Sequence, residues 1–259
     1  GPEEKTLLEA LKEEIFGQDE VLEKIADALG VYRSPLRNLN KPIGVFLFVG
    51  PPGVGKMAVV RALAKHLFQD PSGFCYVNCD KPVPLDQRDL DRAHQRMLEK
   101  LHKSDMDKLY ERGGKLMEEE EELKAMLEKA RSLYGDWSNL QGEELAKKKA
   151  EFTQSVQQYK KRKIAHIRKD MKLGREMAEA ARRGWHYDED NPPENLLSVA
   201  FYDHVENTDS DLLDYLAEIL DTGQVVAMRK GDPVTASFRN AFIFFALSIS
   251  ADKFEEILD

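Results

Sequence analysis

The sequence predicts an α/β protein: a parallel sheet flanked by helices and interrupted by one long helical segment. Three observations carry that prediction. Residues 44–79 read as strand, glycine-rich loop, helix and strand, a βαβ unit of the length that joins parallel strands. Residues 86–184 are charge-dense and proline-free, with apolar residues near every seventh position. Buried-strand runs return from Glu194 onward.

In chain order, a helix is expected over Lys5 to Glu14 and a second from about Gln18, in "QDEVLEKIADALGVY". "PIGVFLFVG" follows as a buried strand, then the glycine loop, a helix to about Phe68, and "GFCYVNCD" as another strand. In the long segment, Leu90, Met97, Leu109, Leu116, Leu123, Leu145 and Phe152 fall near heptad spacing, interrupted at "ERGGK" (111–115) and "YGDWSNLQG" (134–142). Glycine and small polar residues suit turns there, so two or three long helices folding back as an antiparallel, coiled-coil-like hairpin are expected. Beyond it, "NLLSVAFYDHVE" is a buried strand and "SDLLDYLAEILDTG" an amphipathic helix closed by Gly223. "QVVAMRKGDPVTASF" alternates like a hairpin around Lys230-Gly231-Asp232, "RNAFIFFALSIS" is a third buried strand, and "ADKFEEILD" begins a helix. The organisation expected is an α/β part over 1–85, a helical insertion over 86–184, and the rest of the α/β part over 185–259.

With 259 residues and 42% hydrophobic content, the chain has material for one or two cores. Its longest apolar runs, Val45 to Gly50 and Ala241 to Ser250, fall far short of the roughly 20 residues that span a bilayer, so no membrane partner is expected. "GPEEKTLLEA" lacks a secretory profile, and Gly1-Pro2 is what a cleaved tag leaves, so an excised fragment of an intracellular soluble protein is expected. Cys75 and Cys79 share one strand face and are read as small core residues, neither disulfide nor metal ligands. A net charge of -9 argues against a nucleic-acid partner. The basic run 146–170 has Phe152, Val156, Tyr159, Ile164 and Ile167 at helical spacing, and is read as a helix with a solvated charged face.

The loop carries the chemistry. "GPPGVGKM", Gly50 to Met57, fits the phosphate-binding pattern G-x-x-x-x-G-K-[S/T] at seven of its eight positions. Glycines let successive backbone N–H groups curl around phosphate oxygens, the next helix adds its positive end, and Lys56 reaches the terminal phosphates. The missing element is the hydroxyl that meets magnesium; Met57 offers a soft thioether instead. Phosphoryl transfer also needs an acid at a neighbouring strand end, and "LLSVAFYD" supplies Asp203, the one expected metal-side ligand.

"IFGQDEVLEKIADAL", "KPIGVFLFVGPPGVGK", "LLSVAFYDHVEN", "LAEILDTGQV" and "FRNAFIFFALS", in this order, resemble the AAA+ module of the Clp family of protein unfoldases, of the ClpB C-terminal type. The resemblance covers roughly residues 13–82 and 172–250; the helical segment between has no counterpart in it. It implies a three-layer P-loop sheet, with Ile15, Phe16, Gly17 and Gln18 walling the adenine. Gly50, Pro51, Pro52, Gly53, Val54, Gly55, Lys56, Met57 and Ala58 would cradle the phosphates, and Asp203 would be the magnesium-side acid. The arginine-finger strand and the small helical lid of the family are expected to lie beyond this sequence.

Three departures from the family pattern meet at one centre. Met57 stands for Ser or Thr, His204 for the catalytic glutamate, and Ser248 for the sensor asparagine, which together point to lost hydrolysis. Glu206 is the nearby carboxylate considered as a stand-in base. No aromatic substrate-gripping loop of the family type is present; Tyr134, Gly135 and Trp137 come nearest and are read as packing a turn. The leading expectation is a Clp-like module that binds ATP or ADP, with magnesium weak or dispensable, acting in a protein assembly or remodelling complex, with the insertion 86–184 and an AAA+ ring of the full-length protein as the candidate contacts. An active ATP-driven remodeller and a nucleotide-free scaffold stay open beside it.

Overall fold

The computed structural model describes residues 2–51, 55–135, 137–184, 196–250 and 252–253. It has two compact units, Gly1–Leu98 with Tyr187–Asp259, and Glu99–His186. In chain order the elements are α1 (Pro2–Glu14), α2 (Asp19–Tyr32), β1 (Gly44–Gly50), α3 (Lys56–Phe68), β2 (Cys75–Asn78), α4 (Gln87–Leu133) and α5 (Gly142–Arg183). They continue with β3 (Ser198–Asp203), a 3₁₀ turn (Val205–Asn207), α6 (Ser210–Thr222), β4 (Gln224–Arg229), β5 (Asp232–Ser237) and β6 (Ala241–Ser248).

The first unit is a three-layer α/β structure. Its sheet is wholly parallel in the order β1-β6-β3-β2, so all four strands end on one side, with Gly50 opposite Ser248 and Asn78 opposite Asp203. The two-residue period of a strand divides its side chains between two cores. Val199 and Phe201 of β3 and Phe242 and Phe244 of β6 join α1, α2 and α3 on one face. Ala200, Tyr202, Ile243 and Phe245 join α6 and the β4–β5 hairpin on the other. Phe244 stacks on Phe46 and Phe48 of β1, with ring centroids 5.2 and 5.7 Å away. β1 is not the fully buried strand expected: Val45, Leu47 and Val49 are exposed. It lies at the sheet edge, where only its Phe46 and Phe48 side packs on the core.

Local chemistry sets the helix ends. Asp209 caps α6 by accepting from the Leu212 N–H at 2.8 Å. Gly223 closes it at φ +71°, where a Cβ would also meet the Asn40 carbonyl oxygen at 2.9 Å. The first turns of α4 are fastened to this unit: Leu90 and Ala93 are buried, Gln87 accepts from the Ser237 N–H, and Asp89 holds Arg229 at 2.7 Å. The sequence drew the insertion from residue 86; by packing, the helical unit starts at Glu99.

The second unit pairs the rest of α4 with α5 as an antiparallel hairpin. The expected break at "ERGGK" does not occur, and α4 runs 47 residues through it. Two glycines cost an exposed helix about 1 kcal/mol each, and the helix continues through them; a Cβ at Gly113 would meet Leu173 of α5 at 3.7 Å, an ordinary contact, and one at Gly114 would meet nothing within 4 Å. Leu123, Ala130, Leu173 and Ala180 are buried along the seam. Midway the seam turns polar: buried His166 lies 3.2 Å from Glu119 by Nδ1 and 2.9 Å from Glu120 by Nε2, and Lys163 also donates to Glu120. At the tip, Tyr134, Trp137 and Phe152 cluster with centroids 5.4–5.8 Å apart, packing the turn. Ile164 and Ile167, expected on the same apolar face as Phe152 and Tyr159, lie off the seam and are exposed.

Candidate nucleotide site

The candidate site lies where the parallel strands end, the side on which open α/β sheets bind ligands. β1 delivers Gly50 and Pro51, and Gly55 opens α3 at φ +77°, a left-handed conformation that favours glycine. Pro52, Gly53 and Val54 lie outside the described residues. Lys56, first residue of α3, folds back over the strand ends. Its Nζ donates to the Gly50 carbonyl at 3.0 Å, the Leu247 carbonyl at 3.1 Å and the Ser248 hydroxyl at 3.0 Å.

From Ser248 a chain of polar contacts crosses to the neighbouring strand ends. The Ser248 N–H donates to Glu206 Oε2 at 3.0 Å, and the other Glu206 oxygen lies 3.4 Å from His204 Nδ1. His204 Nε2 lies 3.6 Å from Asp203 Oδ2, the His204 backbone N–H donates to Asp203 Oδ1 at 3.0 Å, and Tyr76 of β2 donates its hydroxyl to Asp203 Oδ2 at 2.8 Å. His204 takes φ +59°, a left-handed conformation uncommon for a residue with a Cβ. That backbone turns its ring back between the two carboxylates. Burial raises the Glu206 carboxyl, but backbone N–H groups, that of Ser248 among them, and His204 outweigh it and leave it below the ordinary range. Burial and the bond to Asp203 push the Tyr76 phenol up to about 12, so it donates throughout the neutral range.

Lys56, Ser248, His204 and Asp203, four of the residues singled out in the sequence, thus fall into one connected set. Met57 does not: its side chain packs against the core of α1, α2 and α3. Ala58 lies in the first turn of α3. Ile15 to Gln18 connect α1 to α2. Ile15 is buried in the core that holds Val59 and Leu63 of α3, Phe16 is 85% exposed, Gly17 sits at φ +78°, and Gln18 precedes α2. Tyr76 and the Glu206–Ser248 bond were missed by the sequence reading. Both depend on strand register, which no local pattern encodes.

Met57 offers no oxygen to a hard cation and packs against the core, and each Asp203 oxygen accepts one hydrogen bond, which leaves it a further lone pair. Among the described residues there is no cluster of three His, Cys, Asp or Glu side chains suited to a metal. Nor is any helix there long and apolar enough to cross a membrane. Cys75 and Cys79 are free thiols, Cys79 buried and Cys75 half-buried.

No protein-family model matches the chain. Among curated proteins, the chaperone ClpB of Rickettsia typhi is 48% identical over 60 residues, 23% of this chain and 7% of that protein. ClpB of Malacoplasma penetrans is 43% identical over 72 residues, 28% of this chain and 10% of that protein. The chain carries a module of Clp/Hsp100 AAA+ type. The ATP-dependent protease ATP-binding subunit-like protein AmiB of Pseudomonas aeruginosa is also similar to this AAA+ module, at 42% identity over 72 residues, 28% of this chain and 19% of that protein. These matches span at most about a fifth of their relatives' length. Of solved structures, the S. cerevisiae Hsp104–ADP complex aligns with a TM-score of 0.46 at 18% identity, over 98% of this chain and 30% of that one.

Proposed function

We propose that the AAA+ module binds ATP or ADP through a phosphate cradle that works with little magnesium, that its hydrolysis is impaired or lost, and that it serves in a protein assembly or remodelling complex. The N–H groups at the start of α3 would hold the phosphates, and Lys56 would exchange its bonds to strand-end oxygens for bonds to phosphate oxygens. The observation that carries the loss of hydrolysis is His204. Where the resemblance expects a glutamate to orient water, an imidazole lies between Asp203 and Glu206, without the reach or charge of a free carboxylate. The hairpin of α4 and α5 is read as the surface for protein partners, and ring assembly of the intact protein is proposed on the resemblance to the Clp family.

Phosphate release by the intact protein in magnesium tests this reading. The unmodified protein should stay at background. Met57→Thr, His204→Glu and Ser248→Asn should each do little alone and restore turnover together, because groups acting as one unit are strongly non-additive. Turnover in the unmodified protein that Lys56→Ala removes would overturn it. That outcome would favour the second reading, an active ATPase using Glu206, whose carboxylate is already linked to Ser248 and so to Lys56.

A further inference from the structure

The four-stranded sheet has a free edge at β2. The Cys79 N–H donates to the Asp203 carbonyl of β3 at 2.9 Å, which sets the phase of the ladder. Backbone groups of Cys75, Val77 and Cys79 point to β3, and those of the residues between them point away from the sheet. The outward row consists of the Phe74 C=O, the Tyr76 N–H and C=O, and the Asn78 N–H. Among the described residues none of these four groups has a hydrogen-bond partner, and the row is closed where the Asn78 C=O accepts from the Lys81 N–H at 3.1 Å. A cavity of about 450 Å³ lies along it. Successive strand residues point to opposite faces, so a cavity lined by every residue from Ser72 to Asn78 lies at the edge of the strand and not on one face of the sheet.

A strand of four residues offers too few backbone bonds to hold a chain unaided, so the walls of the cavity decide what fits. Val83, Pro84 and Leu90 make part of the lining apolar, and four cations stand around it. Two of these are already matched, since Arg92 and Arg229 lie 3.0 and 2.7 Å from the same Asp89 carboxylate, and Arg229 also 3.5 Å from Asp86. The other two are open. Exposed Arg96 reaches only Asp70, at 3.6 Å, and exposed Lys81 has no ion pair among the described residues. From this we infer that the edge takes a short extended segment of a partner protein bearing acidic side chains. The segment adds as a fifth strand beside β2, bonds to the row from Phe74 to Asn78, and sets its carboxylates against Lys81 and Arg96. This goes beyond the nucleotide reading and does not rest on it, because neither Lys56 nor the glycine loop lines the cavity.

Fluorescence anisotropy on the full chain tests it, with labelled Val-Glu-Val-Glu-Val as the probe and Val-Lys-Val-Lys-Val beside it. The acidic peptide should bind saturably, at least tenfold more tightly than the basic one, and more weakly in high salt. Lys81→Glu with Arg96→Glu should reverse the preference; both positions are exposed, so the fold is expected to survive. Methylating every second peptide nitrogen should abolish binding in one phase and spare it in the other, because an added strand turns only alternate N–H groups toward its neighbour. Amide hydrogen exchange at Tyr76 and Asn78 should slow when the acidic peptide is bound. No saturable binding of that peptide, a preference that the charge reversal leaves unchanged, or binding without slowed exchange at Tyr76 and Asn78 would overturn the inference.

Discussion

The two units of this protein are held together by different physics. In the α/β unit, Phe201, Phe242 and Phe244 are buried to 1% or less in a sheet packed on both faces, and side-chain ion pairs play no part in that core. In the hairpin, the seam is apolar near Leu123 and Leu173 but passes through Glu119, Glu120, Lys163 and His166 at its middle. Burial of apolar surface resists salt and acid, whereas hydrogen-bonded charge resists neither. The core of the α/β unit should therefore keep its packing in salt and acid that loosen the polar middle of the hairpin.

The contrast breaks most sharply under truncation of the cores. Phe244→Ala removes a ring stacked on two others and should cost the α/β unit about 3–5 kcal/mol, read by urea unfolding. Leu123→Ala should cost the hairpin about 2–3 kcal/mol and leave tertiary signals of the α/β unit in place. If Leu123→Ala unfolds both units together, they do not differ as described.

Acid sharpens the comparison at a smaller scale. Hydrogen bonds from His166 and Lys169 hold the Glu119 carboxyl below its ordinary value, and Lys163 does the same for Glu120. A carboxyl with a lowered folded value contributes stability that is present above the unfolded value and lost as pH falls through the folded one. Helix content of the hairpin should thus begin to fall below about pH 4.3, while the phenylalanine core keeps its near-ultraviolet signal. Glu119→Gln with Glu120→Gln should flatten that acid limb. An acid limb unchanged in the double variant would place the sensitivity elsewhere.

Much of this was legible in the sequence, for reasons that also explain what was not. The parallel strands announced themselves because β3 and β6 are apolar on both faces, and the start of α3 at Lys56 because glycines and a lysine at set spacings follow β1. The turn expected at Gly113-Gly114 was overridden by the packing of the flanking turns of α4, whose Leu123 and Ala130 are buried against α5. The exposed face of β1 depends on its place at the sheet edge, and the bond from Tyr76 to Asp203 on the pairing of β2 with β3. Neither is a property of any short stretch of residues. Ile164 and Ile167 fit a helical period but not the seam's own, and only the partner helix decides which stripe is covered.

Replacing residues 99–186 by a short flexible linker should cause the smallest change of all, leaving nucleotide affinity within about threefold, a coupling under 1 kcal/mol. A larger loss would mean that the helices support the cradle.

The most direct measurement of the central claim is a calorimetric titration of ADP into the full chain, once with magnesium and once with EDTA, beside Lys56→Ala. Binding of similar strength in both buffers, abolished by Lys56→Ala, is the predicted result, since the cradle relies on backbone N–H groups and one ammonium while Met57 is turned into the core. Binding that EDTA abolishes, or no binding in either buffer, would contradict it.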